Sequence, residues 1–335
     1  MPSESRGYLI IDGNNIGYAT NSRSRLTVGD MEVQAIYHTL RVLRPMLASY
    51  PLLKPIVLWD GRSWRYDAFK EYKASRDKEP ETKSEKAQAA NTKSWKLQQP
   101  SVKRALKDLG IPQIIAMNLE ADDIAGMLVR RYQPTGKKVV LITGDKDWIQ
   151  LVQPGVGWVD PQRDNRINAG NLTEKLGYEK TKKDKDGVVL SRKWIAVPSA
   201  RAYLQVKAMM GDPSDGIPGV GGIGEKGAID IVARFGSVER FFDAVNFDKV
   251  EGLNKKTLDF GTDANKWAAY KRNMMLMDLS SPDIPKPIGL QLTKKPMDTE
   301  AFTTLCEELS FQSFLTDIDG WLEPFVNSYQ KNGGA

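Results

Sequence analysis

The residues best able to do chemistry in this chain are carboxylates, and they fall at regular places. Asp12 closes the apolar run YLIID, Asp60 closes PIVLWD, and Asp145 closes KVVLITGD with Asp147 two residues on. Glu120, Asp122 and Asp123 cluster in NLEADDIAG. Singly, each has an ordinary explanation: an aspartate at a strand end starts a turn or caps a helix, and acids at a helix start suit the macrodipole. Together, seven carboxylates on one edge repel one another strongly unless cations sit among them. The chain has one histidine, His38, and one cysteine, Cys306. The ligand chemistry is therefore all oxygen, which suits the hard ions Mg²⁺ and Mn²⁺. The same scarcity disfavours a Ser-His-Asp triad and excludes a cysteine metal site. His38, in IYHTLRVL, reads as a helix-surface residue.

A second constellation is MGDPSDGIPGVGGIGEKGA, from Met210 to Ala228. Gly219, Gly221, Gly222 and Gly224 recur ahead of Lys226 and an apolar helical run, as in a loop built to approach phosphates. Asp212 and Asp215 just upstream would repel a phosphate. They make sense as the completion of the acid cluster, with the glycine turn holding a different phosphate of the same strand. The Gly-Lys-Ser/Thr of a Walker loop is absent. A dinucleotide fold fits poorly too, because these glycines follow a helical run and not a strand.

These residues need a scaffold that gathers them. Four apolar runs, Tyr8–Asp12, Pro55–Asp60, Ile111–Met117 and Lys138–Asp145, read as strands of a parallel sheet covered on both faces. Helical patterns at Asp30–Leu47, Ser101–Leu109 and Ala121–Tyr132 supply crossovers, so the fold class is α/β. In such a sheet the carboxyl ends of the strands share one edge, where ligands bind. Glu120 and Asp123 share a helix face, with Asp122 beside them. The polar stretch Asp77–Gln99 lacks a core-facing stripe and reads as a mobile loop or a marginal helix standing off the body. Tyr178–Trp194 carries a turn signal and reads as a protruding hairpin or loop. From Pro198 onward the pattern is helical, with segments such as Asn265–Leu279 and Thr299–Phe314.

The chain has 335 residues, 41% of them hydrophobic, enough for one large domain or two moderate ones. No apolar stretch approaches a membrane span, and MPSESRGYLIIDG lacks the pattern of a signal peptide. With one cysteine, these features predict a cytoplasmic protein. The net charge is +6, and its placement matters more than its size. Residues 62–107 hold 13 basic and 6 acidic side chains, against 35 and 36 elsewhere, so the cationic excess lies in one segment. That is the footprint expected of a nucleic-acid binder.

Five pieces, IIDGNN, WDGRSWRYDAFKEYKASR, LEADDIAG, ITGDKDWIQLV and GDPSDGIPGVGGIGEKGA, occur in the order found in the structure-specific 5′ nucleases. From about Tyr8 to Pro285 the chain resembles bacteriophage 5′–3′ exonucleases, flap endonucleases and the 5′-nuclease domain of bacterial DNA polymerase I. The resemblance implies a parallel-sheet, PIN-like nuclease core over residues 1–198, with a helical arch at about 62–107. A helix–three-turn–helix region gripping duplex DNA (199–290) and a helical tail (291–335) would follow. It implies two Mg²⁺ ions, replaceable by Mn²⁺: Asp12, Asp60 and Asp122 favour one, Asp145, Asp147 and Asp212 the other, with Glu120, Asp123 and Asp215 bridging or ordering water. It implies that Arg65, Lys73 and Arg76 steer or polarise the scissile phosphate and that Tyr72 stacks on a base. Lys83, Lys86 and Lys93 are expected to meet the single strand, the glycines and Lys226 the duplex, and turn carbonyls a K⁺ ion. Pro213 after Asp212 departs from the family pattern, and the insertion at Tyr178–Trp194 has no counterpart in it.

The expected activity is metal-dependent hydrolysis of phosphodiesters at DNA 5′ ends and 5′-flap junctions, by a monomer, as exonuclease and flap endonuclease in replication or repair. With no polymerase region following, the chain looks like a stand-alone, phage-type enzyme of a bacterial or phage-infected cytoplasm. The alternatives are an RNase H-like nuclease that removes RNA primers from RNA–DNA hybrids, and a non-catalytic binder of DNA structures.

Overall fold

The structure is a computed structural model that describes residues 6–77, 79–247 and 250–333. The apolar runs form β1 (Gly7–Asp12), β2 (Leu53–Trp59), β3 (Gln113–Ile115) and β4 (Lys138–Ile142), and β5 (Val156–Asp160) extends them. These five strands are parallel. The edges are not: β6 (Asn165–Ile167) turns back antiparallel on β5. Strands β7 (Gly177–Lys183) and β8 (Val189–Ala196) form the separate hairpin expected near Tyr178–Trp194. Strand β9 (Gln291–Thr293) closes the other edge antiparallel, giving the order β9-β3-β2-β1-β4-β5-β6.

Both faces of the sheet are covered, so its central strands are apolar on alternate sides. Leu9, Ile11, Val57 and Trp59 point into one core, with α1 (Gly13–Asn21), α2 (Gln34–Ser49) and the C-terminal residues Phe302, Phe314 and Phe325. Ile10, Leu58 and Leu141 point into the other, with Ile124, Ala125 and Val129. Each such side chain contributes about 1.5–3 kcal/mol on burial. A third core, around Val206, Ile229, Phe241 and Tyr270, belongs to the helices that follow the hairpin.

Of the two expected readings for residues 83–99, a loop or a helix, the structure shows the helix. These residues are part of α3 (Lys83–Asp108), 26 residues long. Its start is a reciprocal capping box between Thr82 and Glu85, and Ala, Lys and Gln favour the helix beyond it. Its buried stripe of Trp95, Gln98, Val102, Ala105 and Leu106 begins only in the fourth turn. Trp95 packs so tightly on Gly17 that a Cβ there would lie 2.0 Å from the indole. The first turns, including Lys83 and Lys86, are exposed, as is Lys93. Lys78, which adds to the same basic segment, lies outside the described residues.

Other elements depart less from expectation. The helix expected over Thr299–Phe314 ends at Glu308 and restarts at Gln312, because Ser310 between them takes φ +53°. His38 is buried, not on the helix surface, edge-on to Tyr37. Burial, then Arg23 and Arg41, hold its pKa below the ordinary histidine value. Among the described residues no helix is long and apolar enough to cross a membrane.

Candidate active site

Four aspartates meet at the carboxyl ends of β1, β2 and β4 and the start of α4 (Ala121–Tyr132). Asp12 caps α1: one oxygen accepts the Asn15 N–H at 2.9 Å and the other the Thr143 hydroxyl at 3.0 Å. Asp60 accepts the Ala121 N–H at 2.8 Å, which ties the end of β2 to the start of α4. Asp122 accepts the indole N–H of Trp148 at 2.7 Å. Asp145 accepts the Asp147 N–H at 2.8 Å and so caps the turn Lys146–Leu151. Among the described residues no lysine or arginine pairs with any of the four. Burial, then the neighbouring Asp60, pushes Asp12 up to about 8. Burial, then Asp147, pushes Asp145 up to about 7. Burial, then Asp145 and Glu120, raises Asp122 well above the carboxylate range.

The remaining acids are charge-compensated by two lysines and two arginines. Lys73, at φ +53°, donates its backbone N–H to the Asp215 carbonyl at 2.8 Å. Its ammonium pairs with Glu120 and lies 3.7 Å from Asp215. Arg76 reaches the other oxygen of Asp215 at 3.0 Å. Burial opposes the charge on Glu120, yet Lys73 and then Arg65 hold its pKa below the usual value. Lys207, in the last turn of α5 (Ala200–Met210), lies 3.0 Å from Asp147 and 3.0 Å from Asp212. Those two acids hold its pKa up against burial. The only sequence trace of Lys207 is a cation inside the apolar run AYLQVKAMM.

Three expected roles are corrected by these contacts. Arg65 is 4% exposed. Its guanidinium meets Asp123 at 2.8 Å and Glu120 at 3.1 Å, and its Nε donates to the Leu276 carbonyl at 2.6 Å. Thus enclosed, it cannot reach a phosphate. Asp123 is fully buried and also accepts the Glu120 N–H at 3.1 Å, so it braces the start of α4 and offers no oxygen to a metal or water. Tyr72 is buried, with its hydroxyl 2.8 Å from Glu120 and 3.1 Å from Asp215, so no ring face is open for a base.

The glycine turn stands between α5 and α6 (Glu225–Phe235). Gly221 and Gly222 take φ +79° and +80° and are exposed. A Cβ on Gly221 would meet nothing within 4 Å, so the backbone there is open for close approach and the conformation itself favours glycine. Gly219 differs: a Cβ there would lie 2.3 Å from the Met210 carbonyl, so this glycine serves packing and not an open contact. Gly224 caps α6, and Lys226 is exposed in its first turn.

Among the described residues no three carboxylates form a ready-made metal cage. The donor set nevertheless fits a hard divalent ion: crowded carboxylates, no histidine or cysteine, and, among the described residues, no direct ion pair on four of them. A linkage test follows. The folded protein holds protons on Asp12 and Asp145 that the unfolded chain has lost, so metal-free stability falls as pH rises through about 7 and about 8. Glu120 and Asp212 shift the other way, but their contribution is complete at acid pH. Melting in EDTA should therefore drop by several degrees from about pH 7 to about pH 8.5, and Mg²⁺ should remove most of the drop. A flat EDTA profile would contradict the crowding.

Two family models match in order. The 5′–3′ exonuclease N-terminal resolvase-like domain covers residues 7–177, and the 5′–3′ exonuclease C-terminal SAM fold covers residues 198–282. DNA polymerase I of Bacillus caldotenax is 30% identical over 321 residues, which is 93% of this chain and 32% of that protein. The chain thus spans about one third of the length of the curated relatives it matches. A bacteriophage T5 flap endonuclease, solved with DNA and metal ions, superposes with a TM-score of 0.60 at 22% identity, covering 95% of this chain and 99% of that one. Flap endonuclease-1 from Methanococcus jannaschii gives 0.51 at 16% identity, covering 98% and 93%. With both models matched over most of its length, the chain belongs to the 5′–3′ exonuclease family of nucleases.

Proposed function

We propose that this chain is a metal-dependent 5′ nuclease that hydrolyses phosphodiesters at the 5′ ends and 5′-flap junctions of DNA, as a monomer, in the cytoplasm of a bacterium or phage-infected cell. The observation that carries this reading is the set Asp12, Asp60, Asp122 and Asp145, which shares one sheet edge with no lysine or arginine in ion-pair contact among the described residues. Asp12, Asp60 and Asp122 would hold one Mg²⁺ or Mn²⁺, and Asp145, with Asp147 and Asp212, a second. Bound there, the metals supply an acidified water and charge for the leaving oxygen, so no side chain need be the general base. Lys73 and Arg76 now neutralise Glu120 and Asp215, and they are the cations nearest to where a phosphate would approach those acids. Exposed Lys83, Lys86 and Lys93 on α3 suit a single strand, and the open turn at Gly221 and Gly222 with Lys226 suits duplex backbone and a K⁺ ion. On this reading residues 1–198 are the core, about 62–107 the arch, 199–290 the duplex grip and 291–335 the tail.

The test is cleavage of matched 5′-flap, nicked, blunt-duplex and RNA–DNA substrates with Mg²⁺, Mn²⁺ or EDTA. Products cut at the flap junction with either metal and none in EDTA are expected. Faster cutting of the RNA–DNA hybrid would make primer removal the main activity, and binding without products would make the chain a DNA-structure binder.

A further inference from the structure

The hairpin of β7 and β8 falls between the two matched segments, which end at 177 and resume at 198. Its base is fixed to the duplex-grip helices. Leu176, Tyr178 and Ile195 pack on the third core. The Tyr178 hydroxyl lies 2.7 Å from Asp230 of α6, and the Lys226 ammonium stands 5.5 Å from the Tyr178 ring. The Trp194 indole donates to the Thr173 carbonyl at 2.8 Å on the opposite face. Lys226 and Asp230 lie one turn apart on α6, so the side of the hairpin they touch continues the surface that starts at the glycine turn.

Strand register sets what that side carries. Ile195 pairs with Tyr178, Lys193 with Lys180, and Ser191 with Lys182, and cross-strand partners project from the same face. Beyond its apolar base this face therefore presents Lys180, Lys193 and Lys182. Lys180 and Lys193 stand directly opposite each other, an arrangement that destabilises a hairpin. Asp230, 3.4 Å from Lys180, is the one carboxylate that answers them among the described residues. Of the hairpin's own acids, Glu179 pairs with Arg192 at 3.7 Å, Asp184 accepts backbone N–H groups of the turn, and Asp186 sits in the turn itself, away from the Lys180–Lys193 pair. Asp230 thus answers only part of the positive charge on this face, and Lys182 and Lys193 have no ion-pair partner among the described residues.

We propose that this hairpin is a second phosphate grip, which extends the contact with duplex DNA along the backbone beyond the glycine turn. The proposal rests on the duplex-binding nuclease reading above. Lys182 lies four strand steps beyond Tyr178, about 13 Å of reach, or about four base pairs of additional duplex at 3.4 Å each.

The test compares wild type with a Lys182→Ala, Lys193→Ala variant on 5′-flap DNAs whose duplex arm is lengthened stepwise. Wild-type affinity should rise with arm length and level off about four base pairs later than that of the variant. On long arms the variant should bind about tenfold more weakly near 0.1 M salt, with a salt slope smaller by about two. Its cleavage rate at saturating protein should be unchanged, and its melting should match wild type. Superimposable arm-length curves would overturn the proposal and leave the exposed tip at Val188 and Leu190 to a protein partner. Equal weakening at every arm length would overturn it as well, because the lysines would then act within the footprint of the turn. Failure of the two readings is separable. A wild type that cleaves flaps but ignores arm length sinks the hairpin alone. A wild type that cleaves nothing, yet loses arm-length dependence in the variant, sinks the nuclease reading and keeps the grip.

Discussion

Asp145→Asn should lower single-turnover cleavage of a 5′-flap DNA by about a thousandfold or more, while flap binding changes little. Removing a ligand charge takes several kcal/mol from the metal site, and each 1.36 kcal/mol is about a tenfold change in rate. Asparagine keeps the Oδ1 that accepts the Asp147 N–H at 2.8 Å, so the turn Lys146–Leu151 should keep its cap. On the proposed reading, DNA affinity rests on phosphate contacts outside the acid cluster and has no reason to fall. The charge crowding supplies a second, opposite readout. Asp145 raises the pKa of both Asp12 and Asp122, so removing its charge should stabilise the metal-free protein at about pH 8. A variant that melts higher in EDTA and cannot cleave is the expected combination. Turnover near wild type at low Mg²⁺ would remove Asp145 from the metal site.

What the sequence made legible follows the physics of each signal. Helix α4 was placed to the residue, because EADD marks its start and its apolar spacing runs unbroken. The convergence of Asp12, Asp60, Asp122 and Asp145 was legible because parallel strands share a carboxyl edge whatever their side chains do. Helix α3 was not, because its buried stripe starts only at Trp95, in the fourth turn beyond a cap that rests on two polar residues. Charge partners were the least legible feature. Arg65 in one segment and Asp123 in another look like two reactive groups, and only tertiary packing turns them into a buried brace. Tyr72 is similar: its sequence position suits a stacking platform, whereas folding spends its ring on the core and its hydroxyl on Glu120. Lys207 carried almost no signal, because a lysine five residues before an aspartate is common on any helix. The antiparallel edges depend on short strands of three residues, too brief for periodicity to register.

Lys73→Ala should slow the chemical step about a hundredfold, the cost of losing one well-placed cation at a developing charge, with much less effect on flap binding. The backbone contributes little to this change. Position 73 takes φ +53°, and lysine and alanine bear the left-handed strain alike. What is lost is the ammonium between Glu120 and Asp215. Two accounts predict a slow variant. In one, Lys73 acts on the reacting phosphate directly. In the other it only neutralises Glu120, which after its loss keeps Arg65, Ser63 and Tyr72 as partners. A double-mutant cycle with Glu120→Gln separates them. If Lys73 merely answers the charge of Glu120, removing that charge as well should restore much of the rate, and Glu120→Gln alone should cost little. If Lys73 meets the phosphate, the Lys73→Ala, Glu120→Gln protein should stay about a hundredfold slow in single turnover. Its melting should still recover, because the buried carboxylate left short of a cation is gone. The geometry favours the second outcome. Arg65 alone already pairs with Glu120 at 3.1 Å, so this acid does not need two cations, and the ammonium of Lys73 is the one on the side of Asp215. Rate recovery in the double variant would instead reduce Lys73 to a structural counter-ion.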